Sequence, residues 1–167
     1  QDTRRAARAY REAIALRPNR ITGYYNLGAG LSNSGHFVEA AQRFLQAKKR
    51  LPVGSEFWAK ATARAISMLT QEVCDEVAKP EWWNDEGLKA LSARVVRAAP
   101  DDADAHLMRA DVLCGQVTAW EARPRSAAQL MEAATHFERA AALYSAPAMK
   151  AALAGNAAWC RNQAGAM

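Results

Sequence analysis

Apolar and small residues recur along this chain at helical spacing. In the segment 21–54, Tyr24, Leu27 and Leu31 stand at i, i+3 and i+7, one face of a first helix. Ala40, Phe44 and Ala47 stand at i, i+4 and i+7 and mark the face of a second. Gly28 and Ala40 are small where the two helices of such a hairpin would touch, and a larger side chain would push them apart. Gly35 falls between the helices, where a residue without Cβ can take a left-handed turn. Pro52 stops the second helix, because it donates nothing to the ladder and clashes with the preceding turn.

The pattern has a period. With Ile21 counted as the first place of a 34-residue unit, Tyr24 stands at place 4, Leu27 at 7, Gly28 at 8, Leu31 at 11, Gly35 at 15 and Phe37 at 17. Ala40 then takes place 20, Phe44 place 24, Ala47 place 27 and Pro52 place 32. At nearly every signature place this resembles the tetratricopeptide repeat family, closely over 21–54 and in degenerate form elsewhere. Ala6, Tyr10, Ala13 and Pro18 lie 34 positions before Ala40, Phe44, Ala47 and Pro52, so 1–20 reads as the second helix of a preceding unit. A unit over 55–102 has Trp58 at the aromatic place, about fourteen residues inserted around 71–84, and a second helix near Leu88–Ala99 closing at Pro100. A unit over 103–146 has His106 at place 4, about eleven residues inserted around 115–126, and a second helix carrying Ala133, Phe137 and Ala140. In 147–167, Ala154 and Gly155 resemble the small pair at places 7 and 8 of a further first helix. The expectation is an all-α, right-handed α-α superhelix of about eight helices, a solenoid of hairpins that begins and ends in half-units, as a piece of a longer array would. No unit can bury its apolar face without neighbours.

Composition adds limits. Half of the 167 residues are apolar, 23% are charged and 8% aromatic, which excludes a disordered tail. No apolar run reaches the roughly 18 residues of a membrane span, and the start at Gln1-Asp2-Thr3-Arg4-Arg5 leads into an amphipathic segment, not the apolar core of a signal peptide. Cys74, Cys114 and Cys160 are widely spaced, with no C-x-x-C pair, which points to a reducing, intracellular and cytoplasmic setting. The net charge of +5 divides into a local +7 over 1–50 and −2 over 51–167. A basic end suits an acidic partner, nucleic acid or a membrane surface; the plainer account is a solvated arginine face on one helix.

The resemblance also implies a place for function. In this family the first helices, here expected at 21–34, 55–78, 103–119 and 147–163, line a concave groove, and places 2, 5, 6 and 9 point into it. These places hold Thr22, Tyr25, Asn26 and Ala29 in one unit and Glu56, Ala59, Lys60 and Ala63 in the next. Asn26 resembles the groove asparagine that clamps an extended peptide, a task suited to an amide that both donates and accepts. Lys60 could catch a carboxylate, but Glu56 stands where the chaperone-tail clamp of some relatives wants a lysine, and the companion Lys and Asn of that clamp are missing. The resemblance therefore implies a protein-binding scaffold or adaptor whose partner is a protein or peptide, with Tyr25, Asn26 and Lys60 at the centre of the contact. Three alternatives stand beside it: a non-catalytic recruitment arm of a larger enzyme, an RNA-associated helical repeat, and a purely structural array whose inserted loops fill the groove.

Secondary contacts are read from charge and aromatic content. Arg4, Arg8 and Arg11 stand at i, i+4 and i+7, about 200° around their helix from Ala6, Tyr10 and Ala13, as an exposed basic stripe. No aromatic platform interleaves them, which weighs against nucleic acid. Trp82 and Trp83 lie in the first insertion, as a binding hot spot or as rings folded back on the array. Asn84 or Asp85 is expected to cap the helix that follows, and Ser126 with Gln129 to form a capping box. Trp120, Arg123 and Arg125 make the second insertion another contact candidate. His36, His106 and His136 are scattered, and none pairs with a cysteine at ligand spacing; His106 is expected in the core, and acidic residues along exposed faces. No nucleophile, zinc or phosphate-loop motif occurs, so neither enzyme activity nor a cofactor is expected.

Overall fold

The computed structural model describes residues 2–17 and 20–167. They form eight α-helices: α1 (Asp2–Leu16), α2 (Ile21–Asn33), α3 (Phe37–Arg50), α4 (Glu56–Leu69), α5 (Asp85–Ala98), α6 (Ala103–Cys114), α7 (Ala127–Leu143) and α8 (Pro147–Gly165). The chain divides into two compact units, Gln1–Ala78 with α1 to α4 and Lys79–Met167 with α5 to α8. Within each unit every helix packs on the next, so the fold is all-α and built from neighbours in sequence. Among the described residues no helix is long and apolar enough to cross a membrane.

In the first unit, α2 buries Tyr24, Leu27, Gly28 and Leu31, and α3 buries Ala40, Ala41, Phe44 and Ala47. A Cβ on Gly28 would stand 3.0 Å from the Phe44 ring, so the glycine sets how closely the helices approach. Phe44 is fully enclosed, a burial that stabilises by about 1.5–3 kcal/mol. The turn is a Schellman motif: Gly35 has φ +77°, the His36 amide donates to the Leu31 carbonyl at 2.9 Å, and the Gly35 amide donates to Ser32 at 3.0 Å.

Helix α1 departs from the register. Ala6 and Ala13 are exposed, and the face against α2 carries Ala7, Tyr10 and Ile14 instead. The contact is tight at Gly23, where a Cβ would meet Ile14 at 3.1 Å. Ala40 and Ala47, at the matching places of α3, face α2 of their own hairpin, whereas α1 meets α2 from the other side and turns a different stripe inward. Pro18, the expected terminator of this helix, lies outside the described residues.

Helix α4 is shorter than the expected 55–78. The Ser55 hydroxyl caps it by accepting from the Trp58 amide at 3.2 Å. It ends at Leu69 because Thr70 and Gln71 turn their side chains back onto the Ser67 carbonyl at 2.9 and 3.1 Å. A 3-10 turn at Glu72–Cys74 follows, with Cys74 buried.

In the second unit Asn84 caps α5, accepting from the Gly87 amide at 2.9 Å. A Cβ on Gly87 would fall 2.3 Å from the Trp82 carbonyl oxygen, so only glycine fits there. Helix α6 stops at Cys114, short of the expected 119, where Gly115 takes φ +70°. The Ser126–Gln129 capping box opens α7. On α8 the expected small pair is displaced: nothing approaches a Cβ built on Gly155, Ala154 is exposed, and Leu153, Ala157 and Cys160 face inward. Counted from those buried residues, place 8 is Ala157, two positions later than the alanine-rich sequence suggests.

Candidate functional site

A cleft of about 630 Å³ in the first unit runs between α1 and α2, lined by Tyr10, Leu16, Arg17, Arg20, Thr22 and Asn26 among others. Thr22 is exposed and Asn26 half-buried, one helical turn apart on the same side of α2. Among the described residues no hydrogen bond engages the Asn26 amide, and no ion pair engages Arg17 or Arg20. Among the described residues the lining holds two arginines and no acid. Amide, hydroxyl and guanidinium groups of this kind can satisfy the backbone and carboxylates of an extended acidic chain.

The other groove candidates are arranged differently. Tyr25 sets its ring edge-on to Phe44, with centroids 5.4 Å apart and planes at 72°, and the Arg64 guanidinium lies 5.8 Å from its centroid. Lys60 is held by Glu56 on its own helix, Nζ to Oε1 2.6 Å, and lies 5.6 Å from the Phe57 ring. The cleft lining thus brings together Thr22 and Asn26 but not Tyr25, Glu56 or Lys60. Ala59 and Ala63, expected to face the groove, are buried.

The arginine stripe is partly neutralised. Arg8 pairs with Glu12 at 3.0 Å, and Arg11 grips Glu39 of α3 through three hydrogen bonds at 2.9, 3.0 and 3.3 Å, while Arg4 is exposed. Burial tends to raise the Glu39 pKa, but the hydrogen bonds and charges of Arg11 and then Arg43 outweigh it and hold the carboxyl low. Arg11 falls beside Ala7 on the packed side of α1, one turn on, which is why it reaches α3 and leaves the stripe.

Trp82 and Trp83 fold back onto their own unit. Trp83 meets Trp120 edge to face at 5.9 Å and donates from Nε1 to the Ala119 carbonyl at 3.0 Å, so the two inserted segments hold one another. The second insertion is equally internal: Trp120 is buried, and buried Arg125 binds buried Asp85. Asp85 therefore corrects the expectation of acids confined to exposed faces.

Three other groups gather where the linear pattern did not place them. His106 and His136, expected to be scattered, meet Nδ1 to Nδ1 at 2.9 Å, and His106 Nε2 lies 2.7 Å from the Pro100 carbonyl. Asp111 lines a cavity of about 280 Å³ with Cys114, Phe137, Asn156 and Trp159. Burial pushes the Cys114 thiol up to about 12, with Cys160 adding to it, and raises Cys160 too, so both thiols are inert at neutral pH. An acid at place 9 of the 103–146 unit was the available signal for Asp111; nothing in the spacing of the two histidines announced their contact. No family model matches the sequence, and no curated protein matches it.

Proposed function

We propose that the chain is a tetratricopeptide-type scaffold that holds a partner protein by an extended acidic segment, with the cleft between α1 and α2 as its docking groove. The observation that carries this reading is the lining of that cleft: Asn26 and Thr22 beside Arg17 and Arg20, with no acid among the described residues to compete. The local +7 of 1–50 favours an acidic partner through long-range attraction as well. Tyr25 and Lys60 take supporting parts, Tyr25 by bracing Phe44 behind α2 and Lys60 by its pair with Glu56 on α4. Nucleic acid is the weaker reading, because Arg8 and Arg11 are committed to Glu12 and Glu39 and, among the described residues, Tyr10 is the one aromatic in the cleft.

The test is binding of labelled short peptides, acidic and basic sets of matched length, measured by fluorescence anisotropy. The wild type should retain acidic peptides, and Asn26→Ala and the double change Arg17→Ala/Arg20→Ala should each weaken them about tenfold or more with unchanged helicity. Equal retention of both sets, or acidic binding indifferent to these substitutions, would remove the cleft as the docking site.

A further inference from the structure

We propose that the cavity formed by α6, α7 and α8 in the second unit is a binding site for an alkylammonium group. It measures about 280 Å³, and Asp111 lines it together with Phe137, Trp159, Asn156 and Gln116. Among the described residues no ion pair and no side-chain hydrogen bond engages the Asp111 carboxyl. A carboxylate so placed lacks a counter-charge; Asp111 is half-buried, and the partial loss of water pushes its pKa up to about 7. A cation entering the cavity supplies what the protein does not.

The rest of the lining selects the kind of cation. Trp159 and Phe137 are aromatic, and ring faces attract ammonium groups that have shed water. The side-chain carbonyls of Asn156 and Gln116 accept N–H bonds. Among the described residues no group of three His, Cys, Asp or Glu could hold a metal ion, which favours an organic cation. The titratable groups facing Asp111 are the thiols of Cys114 on α6 and Cys160 on α8, both neutral, while α7 presents the uncharged Phe137. The ammonium could be a free small amine or the tip of a lysine side chain, and the chemistry is shared. The inference does not depend on the cleft between α1 and α2.

Isothermal titration of the full chain tests it, with butylammonium chloride as probe and butanol as its neutral counterpart. Butylammonium should bind saturably and butanol should not. Asp111→Asn should weaken butylammonium at least tenfold. In the wild type, affinity should rise about tenfold per pH unit up to about pH 7 and level off above it, because only the ionised carboxyl attracts the cation. A lysine residue blocked at both ends, titrated in parallel, identifies the source: tighter binding than butylammonium indicates a peptide, and weaker binding a free amine. The proposal is overturned if neither ammonium binds, if butanol binds as well as butylammonium, or if affinity ignores both pH and Asp111→Asn.

Discussion

Arg125 and Asp85, 40 positions apart, hold each other by a two-pronged ion pair in the interior of the second unit, Nη2 to Oδ1 2.6 Å and Nη1 to Oδ2 3.0 Å. Neither side chain is more than 5% exposed. The same guanidinium donates to the Val112 carbonyl at 2.8 Å and the Arg123 carbonyl at 2.9 Å, so one side chain joins the start of α5, the last turn of α6 and the inserted segment. The hydrogen bond from Arg125 leads in holding the Asp85 pKa far below the carboxylate range; burial opposes it and Lys89 assists.

Removing Arg125 leaves the buried Asp85 carboxylate with Lys89, 2.9 Å from Oδ2, as its remaining charged partner, and removing Asp85 leaves the buried guanidinium with carbonyl oxygens alone. Arg125→Ala should destabilise the chain by about 3–5 kcal/mol in urea unfolding. Asp85→Asn combined with Arg125→Met should recover part of that loss, because no uncompensated charge remains. The pair also sets an acid limit. Its folded-state carboxyl is depressed, so its contribution is complete above the unfolded value of 3.8 and declines as pH falls below it. A wild-type acid transition that matches that of Asp85→Asn would contradict this.

Gly28 and Gly30 look alike in sequence and differ in their surroundings. A methyl on Gly28 would press into Phe44 at 3.0 Å, whereas a methyl on Gly30 would meet nothing within 4 Å. Gly28→Ala should therefore destabilise by about 1–3 kcal/mol through overpacking. Gly30→Ala should stabilise by up to about 1 kcal/mol, as expected for a helix interior. Thermal unfolding of the two variants decides it, since the shifts in Tm should have opposite signs.

How much of this was legible follows from which residues speak for themselves. The hairpin of α2 and α3 could be read residue by residue, because Tyr24, Leu27, Gly28, Leu31, Ala40, Phe44 and Ala47 are buried at the places their spacing marks. Caps were legible for the same local reason: Asn84, Ser126 and Gly35 act within a few residues of themselves. The inward face of α8 was not, because an alanine-rich helix offers several small pairs and only packing chooses Ala157 over Gly155. The end of α4 at Leu69 depended on side chains folding back on Ser67, which no period records. Cleft and cavity were legible only in part. Thr22 and Asn26 stand at expected groove places and Asp111 at place 9 of its unit, but Arg17 joins Asn26, and Asp111 joins Trp159, only once segments distant along the chain pack together.

The contact of His106 with His136 predicts a second pH response. A carbonyl only accepts, so His106 donates from Nε2 to Pro100, which leaves its Nδ1 to accept from His136 Nδ1–H. A proton on both rings would set two N–H groups against each other. Burial and then the nearby His106 lower the His136 pKa, with Arg109 acting the same way, against a smaller upward pull from Glu132. Because the folded pKa lies below the unfolded 6.5, the unfolded chain binds more protons and stability falls as pH drops through that value. His136→Gln should flatten the loss between about pH 7 and 5. Parallel profiles for variant and wild type would assign the loss to another group.

Asp111 acts in the opposite sense. Its folded pKa is raised from 3.8 to about 7, so the folded chain binds the extra proton over that interval and stability declines as pH rises through it. Above about 7 the ionised carboxyl sits in the protein without a counter-charge, and the penalty stays constant. Asp111→Asn keeps the size of the side chain and removes the ionisation. The variant should match the wild type near pH 4 and exceed it progressively up to pH 7, by at most roughly 4 kcal/mol and by less where solvent reaches the carboxyl. Urea unfolding across this range tests the sign directly: a variant less stable than the wild type at pH 8 would mean that the carboxylate is held by a favourable contact, and that the cavity needs no cation to balance it.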